Sequence, residues 1–159
     1  MDTDGKIKRV RELTHNLRFK CEIFYHEQSG KSTEDAMRAT GLDSQQIIKC
    51  LLLRSKNGEY LGAIVRGCDK LDFKALEMIS GYRDLRMAQP NDIEKYLGFE
   101  VGGVPAVIFF EKKIRTFVDN RVLNSEYVVG SGGSQFYGMR FNPEQLVKVL
   151  NYTPINISK

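Results

Sequence analysis

Cysteine, histidine and long apolar runs are all scarce in this sequence. Its three cysteines, Cys21, Cys50 and Cys68, form no Cys-x-x-Cys pair, which excludes a disulfide framework and a zinc knuckle. Its only histidines are His15 and His26, so we expect no multi-histidine metal site and no cofactor. No apolar run approaches the roughly 20 residues of a membrane-spanning helix, and no apolar block marks a secretory signal. These absences predict a cytoplasmic chain that has no membrane partner.

The sequence also lacks the short motifs of several enzyme classes. It contains neither a G-x-x-x-x-G-K-[ST] phosphate loop nor a dinucleotide-binding fingerprint, which argues against a nucleotide triphosphatase and a Rossmann enzyme. The nucleophile motif G-x-S-x-G is missing as well. The sequence therefore carries none of these three standard motifs.

What the sequence does contain is typical of one folded domain. It has 159 residues, of which 42% are hydrophobic and 28% charged, and a single domain usually spans about 100 to 200 residues. The 24 lysines and arginines exceed the 20 aspartates and glutamates, giving a net charge of +4. This charge permits an anionic partner without requiring one, and nothing in the sequence predicts a DNA partner.

The first twenty residues predict an amphipathic helix that packs on a domain formed by residues 21–159. Ile7, Val10, Leu13 and Leu17 recur at helical spacing, with lysines and arginines between them. The basic face has two interpretations: an arm that contacts RNA phosphates, or the more common solvated surface.

Alternating helix and strand signals follow this segment. Ser32 and Gly41 are typical of the start and end of a helix, and Asn57-Gly58 indicates a tight hairpin turn. The turn at 57–58 places Lys49 at the open end of the hairpin. The predicted strands are 21–25, 47–53, 60–65, 106–110, 114–118, 127–129 and 136–141, and helices are predicted at 32–41, 72–81, 90–98 and from Asn142 onward.

The predicted elements indicate an α+β domain. Strands outnumber helices and mostly meet as hairpins, including a second hairpin formed by 106–110 and 114–118. We therefore expect a curved, largely antiparallel, partly barrel-like mixed sheet flanked by helices.

Three features are hard to explain by packing alone. They are Lys49 in an apolar strand, the pair Gly102-Gly103 before Val104-Pro105, and the loop formed by Gly130, Ser131, Gly132 and Gly133. Glycines let backbone N–H groups approach an anion, and lysine supplies a compact positive charge. Together they predict a phosphate-bearing ligand, although glycines also mark ordinary turns and a strand lysine also reaches water.

Two further polar residues have two interpretations each. Asp119, at the end of a predicted strand, is either a carboxylate that orients a ligand or a turn residue before Asn120. His26, beside Tyr25, is read as a packed or capping histidine rather than a base.

The order of these features resembles the YbaK and prolyl-tRNA-synthetase-associated editing domain. The resemblance covers residues 26–150 and is carried by Lys49–Leu53, Val65–Gly67, Leu71-Asp72, Met87-Ala88, Gly98-Phe99, Gly102–Pro105, Val118-Asp119 and the late glycine loop. It implies a freestanding, trans-editing aminoacyl-tRNA deacylase that hydrolyses the ester of mischarged tRNA. Its implied partners are the tRNA acceptor end and an aminoacyl-tRNA synthetase.

The resemblance also implies roles for individual residues. The family's catalytic lysine falls on Lys49, its pocket loop on Gly102 and Gly103 with Val104 and Pro105, and its late glycine loop on 130–133. Cys50, His26 and Gly67 are expected beside this pocket.

This chain departs from the family's pattern where the amino-acid side chain is expected to be sorted. Cys50 stands where the family often has threonine, Ala106 where it often has a second proline, and Ile108 or Phe109 where it usually has glycine. The family's substrate preferences therefore do not carry over. Two other functions stay open: a non-catalytic module that binds tRNA ends or a synthetase, and a binder of small phosphates or nucleotides.

Overall fold

The computed structural model describes residues 2–159 and consists of two open β-sheets flanked by helices. The helices are α1 Thr3–Leu17, α2 Thr33–Thr40, α3 Phe73–Ser80, α4 Pro90–Leu97, α5 Ile108–Glu111 and α6 Gln145–Lys148, with a 3-10 helix at Asn120–Asn124. The strands are β1 Glu22–Tyr25, β2 Ile48–Arg54, β3 Tyr60–Arg66, β4 Arg86–Met87, β5 Thr116–Asp119, β6 Val128–Ser134, β7 Tyr137–Phe141 and β8 Thr153–Ile155.

The strands form one antiparallel sheet and one mixed sheet. Strands β1, β7 and β6 lie side by side in the first, and β4, β2, β3, β5 and β8 lie in that order in the second. In the mixed sheet β3 pairs parallel with β5, and β5 pairs parallel with β8. A bridge between Ile47 and Val129 links the two sheets. The predicted α+β class is confirmed, and the sheets stay open rather than closing into a barrel.

Helix α1 is the predicted amphipathic helix. The Asp2 carboxylate caps it by accepting a hydrogen bond from the Gly5 backbone N–H. Its buried face, which includes Ile7 and Val10, packs against β6 at Gly133. Gly133 has a φ of +126°, and a Cβ there would lie 3.0 Å from the Ile7 Cδ1 atom. Glycine at this position therefore allows the helix to pack closely on the strand.

The first hairpin also forms as predicted. Strands β2 and β3 pair antiparallel, and Gly58 in the turn has a left-handed φ of +81°. Lys49 pairs with Val65 at the open end of the hairpin.

The mixed sheet has apolar residues packed on both faces. Ile64 points into one buried cluster, and its chain neighbours Ala63 and Val65 belong to another. The backbone of Lys49 is therefore held in a rigid strand.

The predicted strand 106–110 and its hairpin are wrong. Residues 108–111 form the short helix α5, and β5 pairs with β3 instead. The segment is buried on all sides from Ala106 to Phe109, and periodicity alone does not separate a buried strand from a buried helix. The buried Tyr152 hydroxyl holds the segment, since it donates to the Ala106 carbonyl at 2.7 Å and accepts from the Phe110 N–H at 3.0 Å.

The prediction that residues 130–133 form a loop is also wrong. Residues 130–133 lie within β6, which pairs with β7 through an irregularity between Ser131 and Ser134. Glycine in a strand often marks a close approach of another segment, and a Cβ on Gly130 would lie 3.0 Å from the Ile48 Cγ1 atom. Strand β6 therefore comes close to β2. The last helix begins at Gln145, slightly later than predicted.

No helix in the described part of the chain has both the length and the apolar character needed to cross a membrane.

Candidate active site

A cavity of about 210 Å³ lies where β2 of the mixed sheet approaches β6 of the antiparallel sheet. Its walls are largely apolar and include Ile48, Leu52, Ile93, Val104 and Val129. The charged side chains that line it are two lysines, and no carboxylate of residues 2–159 lines it. The cavity is therefore suited to an anionic or polar ligand that also carries a small apolar group.

Lys49 lines this cavity from β2. Its Nζ atom donates a hydrogen bond to the Asp69 carbonyl oxygen at 2.7 Å. No carboxylate within residues 2–159 forms an ion pair with the amine. An ammonium group has three N–H donors, so two remain for a ligand. The half-buried Lys49 thus presents a positive charge that the described chain does not neutralise.

The turn that holds the Asp69 carbonyl was not found by sequence reasoning. The Asp69 carboxylate accepts two hydrogen bonds from the Arg66 guanidinium, at 2.7 and 3.3 Å, and lies 3.5 Å from Arg121. The Arg66 hydrogen bonds are the main cause that lowers the pKa of Asp69, although its burial opposes them. The sequence signal for this ion pair is the three-residue spacing of Arg66 and Asp69. This ion pair fixes the carbonyl that orients Lys49.

The lowered pKa of Asp69 predicts a stability difference that depends on pH. A carboxyl group whose pKa is lower in the folded than in the unfolded state stabilises the fold above its unfolded value, here near 3.8, and loses this contribution as the pH falls through the folded value. We expect Asp69→Asn to lower the free energy of unfolding at pH 7. The difference from the parent protein should shrink between about pH 5 and pH 2.

Urea unfolding at a series of pH values measures this difference. Glu126→Gln is the matched control, because it removes an exposed carboxylate and should leave the free energy of unfolding nearly unchanged. A deficit in Asp69→Asn that stayed constant down to pH 2 would contradict the ion-pair explanation.

The rim of the cavity is built by two close loops. Gly102 has a left-handed φ of +81°, and a Cβ there would lie 2.9 to 3.0 Å from the Lys31 side chain and backbone. Both residues line the cavity, as does the first turn of α2. Ser32 begins that turn by accepting a hydrogen bond from the Asp35 N–H at 3.1 Å. Only glycine allows the two loops to approach this closely.

The residues around Gly102 differ in their relation to the cavity. Val104 lines it, whereas Gly103 and Pro105 do not. The Gly103 N–H donates to the Glu100 carbonyl at 2.9 Å, but the Gly102 N–H has no acceptor within residues 2–159. Gly102 is therefore the member of the pair whose backbone donor remains available.

The late glycine segment divides in the same way. Gly130 and Ser131 line the cavity. Gly132 and Gly133 do not; they are buried, and Gly133 lies beneath α1. The Gly133 N–H already donates to the Ser131 hydroxyl oxygen at 3.0 Å. Only half of the predicted glycine loop therefore faces the cavity.

Cys50 and His26 line the cavity, and Gly67 lies behind it. Burial raises the pKa of the Cys50 thiol to about 12, so the thiol stays protonated at neutral pH and is not a nucleophile. Gly67 packs against Thr33, whose hydroxyl donates to the Gly67 carbonyl at 3.3 Å. Gly67 thus supports a lining residue from outside.

Asp119 lies outside the cavity lining. Only 1% of its surface is exposed, and its carboxylate accepts hydrogen bonds from three backbone N–H groups. The donors are Arg121 at 3.1 Å, Ile157 at 2.8 Å and Ser158 at 3.1 Å. The carboxylate therefore ties the C-terminal segment to the end of β5.

The described residues contain no cluster of three or more histidine, cysteine, aspartate or glutamate side chains that would hold a metal ion.

Residues 27–149 match the family model described as the aminoacyl-tRNA editing domain. The match spans most of the chain, and the chain belongs to this family. The YbaK-like resemblance inferred from the sequence is thereby confirmed. The activity for which this family is described is the editing of aminoacyl-tRNA.

Named relatives agree with this family. A protein of Enterococcus faecalis named "Putative Cys-tRNA(Pro)/Cys-tRNA(Cys) deacylase EbsC" is 23% identical over 137 residues, which cover 86% of this chain and 83% of the relative. The proline–tRNA ligase of Thermosipho melanesiensis is 24% identical over 120 residues, which cover 76% of this chain but 21% of the ligase. The fold also matches the crystal structure of "a putative trans-editing enzyme for prolyl tRNA synthetase", with a TM-score of 0.85, 23% identity and 97% of each chain covered.

Proposed function

We propose that the chain hydrolyses the ester of a mischarged aminoacyl-tRNA in the cavity between β2 and β6. The observation that supports this most is the Lys49 amine, which has two N–H donors unused within residues 2–159 and lies at a cavity that none of their carboxylates lines. The 3′ end of tRNA carries phosphate and ribose oxygens that such an amine binds. Lys49 would therefore hold the acceptor end at the cavity.

Gly102 is the proposed donor to the ester carbonyl. An aminoacyl ester is already activated, so hydrolysis mainly requires placing water and stabilising the negative oxygen that forms on the carbonyl. Gly102 lines the cavity, and its N–H has no acceptor within residues 2–159. Backbone donors aimed at a developing oxyanion need no reorganisation during the reaction.

The walls of the cavity favour a small, uncharged amino-acid side chain. The cavity's 210 Å³ falls below the roughly 300 to 1,000 Å³ of pockets for drug-sized ligands. No carboxylate of residues 2–159 lines the cavity, so a positively charged side chain would find no ion-pair partner among them. Burying such a charge unpaired would cost several kcal/mol, on the order estimated for buried ions.

A synthetase is the proposed second partner. The chain matches about a fifth of a proline–tRNA ligase, so a domain of this kind also occurs joined to a synthetase. A freestanding chain would have to receive its substrate after the synthetase releases it, and transient association would shorten that step.

A panel of mischarged tRNAs tests the proposed function. Alanyl, cysteinyl and seryl esters are offered at catalytic protein concentrations, with an arginyl ester as the control, and release of free amino acid is compared with buffer. We expect acceleration for at least one small side chain and none for arginine. Salt-dependent tRNA binding with every ester left intact would instead identify a binding module.

A further inference from the structure

A second depression lies beside the active-site cavity. It has a volume of about 420 Å³ and is formed by the end of β2, the edge strand β4 and the start of α4. Met87 lines both the depression and the cavity, and 43% of this residue is exposed. The two therefore adjoin each other at the protein surface.

Strand β2 connects the cavity and the depression along one face. Alternate residues of a strand share a face, so Arg54 lies on the same face as Leu52, about 7 Å further along the strand. Leu52 lines the cavity and Arg54 lines the depression. Helix α4 crosses the same boundary, since Ile93 lines the cavity and Asp92 the depression. An extended ligand that leaves the cavity along β2 therefore enters the depression.

Positive charge predominates in the depression. Its cations are Arg54, Lys56 and Arg86, and its carboxylates are Asp84 and Asp92. Arg54 lies 3.6 Å from the Asp92 carboxylate. Lys56 and Arg86 are exposed and form no ion pair within residues 2–159. These two cations are therefore available to an anionic ligand.

Aromatic rings lie next to these cations. The Arg54 guanidinium carbon lies 5.9 Å from the centre of the Tyr60 ring, and the Tyr96 ring stacks on Tyr60 with centroids 4.4 Å apart. Tyr96 is 40% exposed. Cations beside aromatic faces suit single-stranded nucleic acid, because the cations pair with phosphates while bases stack on the rings. An acidic protein surface would use the cations alone.

We propose that the depression binds phosphates of the tRNA 3′ strand that precede the aminoacylated nucleotide, an inference that rests on the proposed function. With the ester in the cavity, the strand leaves over Met87, and its phosphates pair with Lys56 and Arg86. Phosphate contacts fix position without reading the bases. These cations therefore hold the acceptor end in register with Lys49 and Gly102.

Charge variants of opposite sign test this surface. Arg86→Gln and Lys56→Gln each remove an exposed cation, and Asp84→Asn removes a carboxylate from the same depression. Asparagine tolerates the left-handed φ of +51° at position 84, so the fold should be kept. The probe is a fluorescent hairpin RNA with an acceptor stem and a single-stranded 3′ end. Its dissociation constant is measured by anisotropy at a series of salt concentrations.

The two kinds of variant should change RNA affinity in opposite directions. Arg86→Gln and Lys56→Gln should each weaken binding about 3- to 5-fold, the effect of one exposed ion pair. Each should also reduce the slope of log affinity against log salt by about 1. Asp84→Asn should tighten binding about 2- to 5-fold, because it removes a repulsion between like charges. On the ester that the parent hydrolyses best, the loss in Arg86→Gln should fall on KM rather than kcat.

Lys74→Gln is the matched control, because Lys74 is an exposed lysine of α3 that lines neither the cavity nor the depression. It removes the same charge and should keep the parent's affinity and salt slope. Equal weakening by Lys74→Gln would show that net charge alone matters and would overturn the proposed surface.

Binding and hydrolysis separate this inference from the proposed function. A parent that hydrolyses an ester while all three variants keep its RNA affinity, salt slope and KM overturns the role of the depression alone. The same holds if the variants lose affinity only for a proline–tRNA ligase, which would assign the surface to a protein partner. A parent that shows the expected charge dependence on RNA but leaves every ester intact supports the RNA surface and overturns the hydrolysis.

Discussion

Replacing Lys49 by methionine should reduce kcat/KM for deacylation by about 10- to 100-fold, because it removes charge-assisted hydrogen bonds to the acceptor end that are worth about 1.5 to 3 kcal/mol. Methionine keeps most of the apolar stem that packs in β2 but removes the charge and the three N–H donors. The fold should therefore survive. The measurement is kcat/KM on the ester that the parent protein hydrolyses best.

The matched control for this variant is Lys74→Met, because Lys74 is an exposed lysine on α3 outside the cavity lining. It should keep the parent's kcat/KM. If Lys49→Met retained activity within a few-fold of the parent while folding normally, the amine would contribute to solubility and not to turnover. The positive charge would then have to come from Lys31, the other lysine at the cavity.

Replacing Asp119 by alanine should lower the free energy of unfolding by about 3 kcal/mol or more, because each buried donor left without an acceptor costs about 1 to 3 kcal/mol. The carboxylate accepts from the backbone N–H groups of Arg121, Ile157 and Ser158. The residue is almost completely buried, so water does not readily replace it. Urea unfolding at pH 7 measures the loss.

Asp43→Ala is the control for this second variant. Asp43 also accepts a hydrogen bond from a backbone N–H, that of Gln45 at 2.9 Å, but it is exposed. Its replacement should cost less than about 1 kcal/mol.

Because Asp119 lies outside the cavity lining, the folded Asp119→Ala protein should keep its kcat. A stable variant with greatly reduced turnover would show instead that the carboxylate orients the ligand. If alanine prevents folding, Asp119→Asn keeps an acceptor and allows the same comparison of kcat.

The elements with local signals were predictable from the sequence. Helix α2 is capped by Ser32 at its start and by Gly41 at its end, as the capping pattern indicates, and the hairpin turns at Asn57-Gly58. In both cases the residues that determine the geometry are neighbours in the chain. The position of Lys49 in a strand was predictable for the same reason, since a charge within an apolar run is visible in one stretch of sequence.

The errors arose where distant segments decide the conformation. Ala106 to Phe109 is apolar throughout, and only the surrounding core and the Tyr152 hydroxyl make residues 108–111 helical rather than extended. The sequence predicts a loop at 130–133 because glycine is common in turns. In the structure they allow Ile48 on one side and α1 on the other to approach β6.

Composition and residue order suffice to predict the α+β class, the family and the place of Lys49 in a strand. The tertiary structure alone decided which of the predicted residues meet. It brings Lys49, Gly102, Gly130 and His26 to one cavity and assigns Asp119 to the C-terminal segment. It also reveals the Asp69 carbonyl beside the amine. The physical reason is that hydrogen bonds and close packing between residues far apart in the chain leave no periodic or local signal in the sequence.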